Sequence, residues 1–129
     1  MARTKRVMFA VVCASIGALL SFQIAMATVQ SVAGAVPNNG SEAYYTVVRC
    51  ATYTGSPSLQ VTSYPGSDLY VGYKLTSTGG ESNDVHFSNG NSYWQQIGNL
   101  VSGTCFKLKA HKDWTWFNGT TNWTGNLNF

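Results

Sequence analysis

The amino-acid sequence predicts an all-β fold, an antiparallel β-sandwich or small barrel of about seven or eight short strands. From residue 43 onward, apolar residues recur with a period of two, which is typical of strands buried on one face. Turn-forming residues separate these segments at short intervals, and no segment combines helical periodicity with good caps. This combination favours a sandwich or a barrel over folds that contain helices.

Each strand can be placed between two breaks in the pattern. The first, Ala43–Tyr53, is rich in β-branched and aromatic residues and ends before the Ser-Pro-Ser at 56–58. Leu69–Leu75 alternates most clearly and follows Tyr64–Ser67, which has proline and glycine at the centre of a type II turn. The other predicted strands are 59–62, 85–87, 93–97, 104–111 and a last strand after Gly119.

Two hairpins are predicted from asparagine–glycine pairs. Asn89-Gly90 and Asn118-Gly119 both suit the two-residue type I′ turn, which joins neighbouring antiparallel strands. We therefore expect 85–87 to pair with 93–97, and the strand that begins near Lys107 to pair with the strand that ends at Phe129.

The pairing around Asn118-Gly119 decides where the C-terminal tryptophans point. Trp114 then lies opposite Trp123, and opposed residues share one face of a hairpin. All three tryptophans of this segment fall on the same face as its aliphatic residues, and pairing around Asn89-Gly90 turns Trp94 inward as well. The alternative is an exposed aromatic platform, for which Trp116 and Phe117 near the turn are the candidates.

The N-terminus, residues 1–27, has the layout of a secretory signal peptide. A basic start precedes the apolar run 7–22, and Ala25 and Ala27 supply the small residues of a peptidase site. We expect cleavage after Ala27, with cleavage after Ala35 as the alternative. An uncleaved membrane anchor is the other interpretation of the apolar run. Residues 28–42 show no sustained period and are predicted to be a flexible leader, so that 43–129 form a single β-domain.

Removal of the predicted signal peptide changes the charge balance of the chain. Of eight basic residues three lie in 1–6, and 8 − 3 = 5 equals the number of acidic residues, so the mature chain is formally neutral. A neutral chain lacks the field that nucleic acids require, and we expect no nucleic-acid partner. We also expect no membrane association after cleavage, and a monomer.

Two cysteines, Cys50 and Cys105, remain after removal of the signal peptide. An even pair in an exported chain typically forms one disulfide, with two free thiols or a redox pair as the alternatives. Alternation places Cys105 on the same face as Lys107, so the bridge must lie at the start of the strand, or a bulge must intervene.

Few residues suggest chemistry. Asp84-x-His86 and His111-x-Asp113 each place an acid and a histidine on one strand face, which is the minimum geometry for acid–base catalysis. Such pairs are common on exposed strands, and no nucleophile, phosphate-binding or zinc motif accompanies them. We therefore predict no enzyme, no catalytic residue, no metal ion and no cofactor. The candidate ligand contacts are outward-facing strand residues: Tyr70, Lys74, His86, Tyr93, Gln95, Lys109 and His111.

Two strings in the second half of the chain resemble a known group of proteins. GTCFKLKA (Gly103–Ala110) and the closing WTGNLNF (Trp123–Phe129) are similar to the ending of small secreted proteins of Gram-positive bacteria, most of them uncharacterised. Those proteins have a G-T-C-F strand and a closing W-x-G-x-L-x-aromatic strand. The resemblance covers about a fifth of the chain. It implies a bacterial exported β-domain with a disulfide at Cys105, and it implies no activity.

The leading functional hypothesis is an exported, non-enzymatic binding domain that holds a glycan or a protein at or outside the cell surface. A secreted antimicrobial or effector protein is the first alternative. A protease inhibitor is the second, and it requires a rigid exposed loop such as Ser77–Asp84. An enzyme that uses His86 or His111 is the third.

Overall fold

The computed structural model describes residues 28–129, which form nine β-strands in two antiparallel sheets. The strands are β1 (Val29–Pro37), β2 (Ala43–Tyr44), β3 (Arg49–Cys50), β4 (Ser58–Ser63), β5 (Leu69–Leu75), β6 (Val85–Phe87), β7 (Trp94–Gln96), β8 (Cys105–Lys112) and β9 (Thr120–Asn128). Sheet A has the order β1-β9-β4-β7. Sheet B has the order β2-β8-β5-β6, with β3 also paired to β8. The predicted all-β fold is confirmed.

Residues 1–27, where the signal peptide is predicted, lie outside the described residues. Within the described part of the chain, no helix is long and apolar enough to cross a membrane.

The core lies between the two sheets, because the apolar face of each strand points to the opposite sheet. Phe106 of sheet B packs edge-on against Phe129, with 5.8 Å between ring centroids. Trp123 of sheet A is buried, and its Nε1 donates to the Tyr45 hydroxyl over 2.8 Å, so its polar atom is satisfied. The alternation predicted for 69–75 and 104–111 is present. The buried apolar residues include Val36, Leu59, Val61 and Leu127 from sheet A, and Leu69, Val71, Leu108 and Ala110 from sheet B.

The segment predicted to be a flexible leader contains the longest edge strand of the fold. β1 pairs with β9 along its whole length, from Val29 opposite Asn128 to Pro37 opposite Thr120, and Val32 and Val36 are buried. The prediction for 28–42 was wrong there because Ala33-Gly34-Ala35 leaves the apolar pattern weak. Gly34 is required by packing, since a Cβ at this position would lie 2.5 Å from the Tyr45 ring.

Both predicted hairpins are wrong in their pairing. β6 pairs with β5 in sheet B and β7 pairs with β4 in sheet A; likewise β8 and β9 belong to different sheets. The turns themselves exist, since Gly90 and Gly119 have φ values of 87° and 91°. Turn residues reverse the chain, but they do not determine whether the next strand joins the same sheet or crosses to the other one.

The first predicted strand, Ala43–Tyr53, is also divided. Within this segment only β2 and β3 pair with β8, and the residues between them, 45–48, lie outside any strand. β3 is held to β8 by the disulfide between Cys50 and Cys105, whose Cα atoms lie 3.9 Å apart in directly opposed positions. The predicted disulfide is confirmed, and Cys105 is the first residue of its strand, which was one of the two predicted solutions.

Candidate functional site

The outer face of sheet B brings together five of the seven predicted contact residues. Because neighbouring strands are in register and side chains alternate, residues from β5, β6 and β8 share this face. They are Tyr70, Lys74, His86, Lys109 and His111. The other two lie elsewhere: Tyr93 immediately precedes β7 and Gln95 lies on it. Gln95 Nε2 nevertheless donates to the His86 carbonyl over 3.2 Å.

Three rings form a ladder across the strands of this face. Tyr70 lies opposite both His86 and His111, and it stacks on each, with centroid distances of 4.9 Å and 4.7 Å. His86 Nε2 lies 2.7 Å from Asp68 Oδ2 at one end of the ladder. Stacked rings at cross-strand positions hold one another rigid, so the ladder presents fixed ring edges to solvent.

Beside the ladder, three carboxylates surround Lys109. Its Nζ lies 3.0 Å from Asp84, 3.6 Å from Glu81 and 3.8 Å from Glu42. Burial lowers the pKa of Lys109, but the hydrogen bond and charge of Asp84, followed by the charges of Glu42 and Glu81, outweigh burial and raise the pKa overall. Lys109 is therefore a charged group held inside an acidic ring, and not a solvated strand residue.

Gly72 makes room for this ring. It lies opposite Lys109 on β5, and a Cβ at Gly72 would come within 2.6 Å of Asp84 Oδ1 and 2.9 Å of Lys109 Cε. Any other residue would push the ion pair outward.

The carboxylates of Glu42 and Asp84 also converge on His111. Its Nδ1 lies 2.8 Å from Glu42 Oε2 and 3.1 Å from Asp84 Oδ2. Burial, and then the nearby charge of Asp84, raise the pKa of the Glu42 carboxyl, and the opposing effects of His111 and Lys109 are smaller. We call Glu42, Asp84, Lys109 and His111 the His–carboxylate cluster.

Each histidine contacts different acids from the one predicted for it from sequence. Asp84 contacts His111 and not His86, while His86 contacts Asp68. Alternation correctly placed an acid and a histidine on one face, but a cross-strand neighbour in a sheet is closer than a residue two positions along the same strand. Glu42 was missed altogether, because it was assigned to the leader, and only the pairing of β2 with β8 brings it here.

The second candidate surface is the aromatic loop, defined as residues 113–119 between β8 and β9. Trp116 is 88% exposed, Phe117 78% and Trp114 56%, and the two indole rings meet edge-to-face at 4.6 Å. The predicted burial of Trp114 and Trp116 was wrong, because β8 and β9 do not form the hairpin that would have covered them. Trp123 is buried as predicted, whereas Trp94 is 46% exposed on β7.

A buried asparagine, Asn38, fixes the aromatic loop. Its backbone N–H donates to the Gly119 carbonyl, its Nδ2 donates to the Asn118 carbonyl, and its own carbonyl accepts from both the N–H and the hydroxyl of Thr115. Its Oδ1 accepts from Lys112 Nζ at 2.9 Å and from the Thr121 hydroxyl at 2.7 Å. The backbone that carries the exposed aromatic rings is therefore fixed by hydrogen bonds near both ends of the loop.

The predicted inhibitor loop, Ser77–Asp84, folds back on β5. The Ser82 N–H donates to the Tyr73 carbonyl, and the Leu75 N–H donates to the Gly80 carbonyl.

An open pocket of about 410 Å³ lies beside the His–carboxylate cluster and shares only Glu81 with the carboxylates around Lys109. Its lining is Tyr73, Glu81, Ser82, Asn83, Val85, Ile97 and Gly98.

Comparison with known proteins adds little to this geometry. No protein-family model and no curated protein matches the sequence. Among solved structures, the chain is similar to the Yersinia pseudotuberculosis-derived mitogen, with 10% sequence identity, a TM-score of 0.48, and coverage of 79% of this chain and 86% of that chain. A likeness at this level carries no information on function. The resemblance to small secreted proteins of Gram-positive bacteria stays a prediction.

Proposed function

We propose that the protein is an exported, non-enzymatic binding domain whose aromatic loop holds a glycan or a protein at or outside the cell surface. The observation that carries this proposal is the joint exposure of Trp116 and Phe117 on a fixed loop. Burial of apolar surface is favourable by roughly 25 cal/mol for each Å², and large aromatic side chains left in water do not gain this free energy. Contiguous exposed aromatic surface is therefore typical of binding sites.

The anchoring of the loop by Asn38 supports the proposal. A loop that is already ordered loses little conformational entropy when it binds, and tryptophan supplies a large contact area with only two side-chain torsions. The disulfide is consistent with export, because such bonds persist in oxidising compartments. The effector alternative also requires export, and no contact among residues 28–129 favours it over a binding domain.

The test compares a loop variant with a matched aromatic control. Trp116→Ala combined with Phe117→Ala removes the surface, while Tyr93→Ala removes another aromatic residue, 72% exposed, outside the loop. Wild-type protein and both variants would be applied to a glycan array and to cell-wall and surface-protein preparations. We expect the loop variant to lose at least about tenfold in affinity and the Tyr93 variant to bind as wild type. Blank results for the wild type on every surface, or full binding by the loop variant, would refute the proposal.

A further inference from the structure

The His–carboxylate cluster has the donor set and spacing of a metal site. Glu42, Asp84 and His111 each offer one ligand atom, and the three atoms lie within 4.8 Å of one another. The two nitrogen–oxygen distances, 2.8 Å and 3.1 Å, match the separation of about 2.8–3.1 Å between adjacent ligands at right angles around an ion with bonds of about 2.0–2.2 Å. In tetrahedral coordination the same bonds separate the ligands by about 3.3–3.6 Å, so the side chains would move apart by about half an ångström. The side chains therefore need little movement to coordinate an ion.

The charge of the His–carboxylate cluster, taken together with the neighbouring Glu81, favours a dication. Glu42, Glu81 and Asp84 contribute −3, Lys109 contributes +1, and His111 is neutral when its Nδ1 is a ligand, so the sum is −3 + 1 = −2. One divalent cation brings this sum to zero. Lys109 does not occupy the same position, because it faces Glu42 Oε1 and Asp84 Oδ1, whereas His111 faces Oε2 and Oδ2.

Lys109 does not fully satisfy the Glu42 carboxylate. Its Oε1, which faces Lys109, is buried and accepts no hydrogen bond from any described residue, and Lys109 Nζ is 3.8 Å away. A buried carboxylate in this state gains from a further positive charge, which an ion bound at the other oxygen, Oε2, supplies. The other acid–histidine pair of the face, Asp68 with His86, has a single carboxylate and is more exposed.

We propose that Glu42, Asp84 and His111 bind one divalent transition-metal ion, such as Zn²⁺ or Mn²⁺, on the outer face of sheet B. Imidazole together with carboxylate selects these ions over Ca²⁺ and Mg²⁺, which take oxygen ligands. Solvent completes the coordination. The bound ion ties the segment before β2 to β8 and to the segment before β6. This site uses none of the aromatic-loop residues, so it stands independently of the proposed binding function.

The test is a titration of the metal-free protein with ZnCl₂ and MnCl₂, followed by calorimetry and by the melting temperature. We expect binding of one ion per chain, a rise in melting temperature on loading, and reversal by a chelator. Glu42→Gln, Asp84→Asn and His111→Gln should each weaken binding by at least about tenfold. His86→Gln, which removes the histidine that faces a single carboxylate, should bind as wild type.

Three results would overturn the proposal. The first is a wild-type protein that takes up neither ion. The second is His86→Gln losing as much affinity as His111→Gln. The third is full affinity in both Glu42→Gln and Asp84→Asn. Circular dichroism of each metal-free variant would establish that it is folded. Chelation of the wild type, which requires no variant, tests the metal-dependent stability separately.

Discussion

Single residues with several partners have the largest structural effect in this domain. Asn38 connects β1, the aromatic loop and β9, and it also provides an acceptor for the buried ammonium group of Lys112. Lys112 lies on the core-facing side of β8 with Leu108 and Ala110, and no carboxylate of the described chain lies within ion-pair distance of it. Its partners are the Asn38 side chain and the Pro65 carbonyl.

Asn38→Ala should therefore destabilise the domain by about 2–4 kcal/mol, because it leaves the buried Lys112 with one acceptor and removes the hydrogen bond from Asn38 Nδ2 to the Asn118 carbonyl of the aromatic loop. Denaturant unfolding measures the loss, and tryptophan fluorescence should report greater solvent access at the loop. Asn39→Ala is the matched control, since the Asn39 side chain accepts only the exposed Ser41 N–H, and it should cost less than about 1 kcal/mol. Equal losses in both variants would contradict the role assigned to Asn38.

Asp68 gives a prediction for pH. Its carboxylate accepts from the Asn89 N–H at 2.9 Å and faces His86 Nε2, and these two hydrogen bonds, in that order, lower the pKa of Asp68 below its ordinary value of 3.8. A group whose pKa is lowered by folding stabilises the fold above the unfolded value, and this contribution disappears as the pH falls through the folded value. Asp68→Asn should thus be less stable than wild type near neutrality, and the two melting temperatures should converge as the pH falls below 3.8. A constant difference across this range would show that the charge is not involved.

At the scale of elements, strand faces are determined locally and strand partners are not. β8 alternates between buried Phe106, Leu108 and Ala110 and the outer face that carries Lys109 and His111. Its neighbours are β2 and β3 on one side and β5 on the other, and all three lie far from β8 in the sequence. The functional side chains of sheet B are brought together by these long-range pairings.

The two-residue strand β3 depends on its covalent link. Reduction of Cys50–Cys105, or replacement of both by serine, should lower the free energy of unfolding by about 4 kcal/mol, because the bridge closes a loop with a sequence separation of 55. Comparison of denaturant unfolding with and without reductant measures this loss. An unchanged midpoint would contradict this contribution of the disulfide.

At the scale of the whole molecule, charge is segregated although the formal charges of residues 28–129 sum to zero. The strands of sheet A contain no charged residue. Four of the acidic residues contact Lys109, His86 or His111 on sheet B. The fifth, Asp113, lies near Tyr70, whose pKa is raised by burial and then by the charge of Asp113. The domain therefore has one uncharged polar face and one ionic face, and a formally neutral composition does not reveal this.

The fold favours one of the two predicted signal-peptide cleavage sites. Cleavage after Ala35 would remove most of β1, which fills the edge of sheet A and contributes Val32 to the core. We expect the exported protein to begin at Thr28, as cleavage after Ala27 requires. Intact-mass measurement or N-terminal sequencing of the secreted form tests this. A mature chain that began at Val36 would mean that sheet A lacks β1.

The sequence by itself determined the all-β class, the alternation of β5 and β8, the reversals at Gly90 and Gly119, and the disulfide. Each of these depends on backbone chemistry or on residue types that are visible within a few positions, and the two cysteines of residues 28–129 allow a single pairing. The tertiary structure alone decided that β8 and β9 lie in different sheets, that β1 is a strand, and that Glu42 and Asp84 meet at His111. Strand partners are selected by the packing of two sheets over long separations in sequence, which is why the aromatic loop is exposed where a hairpin would have buried it.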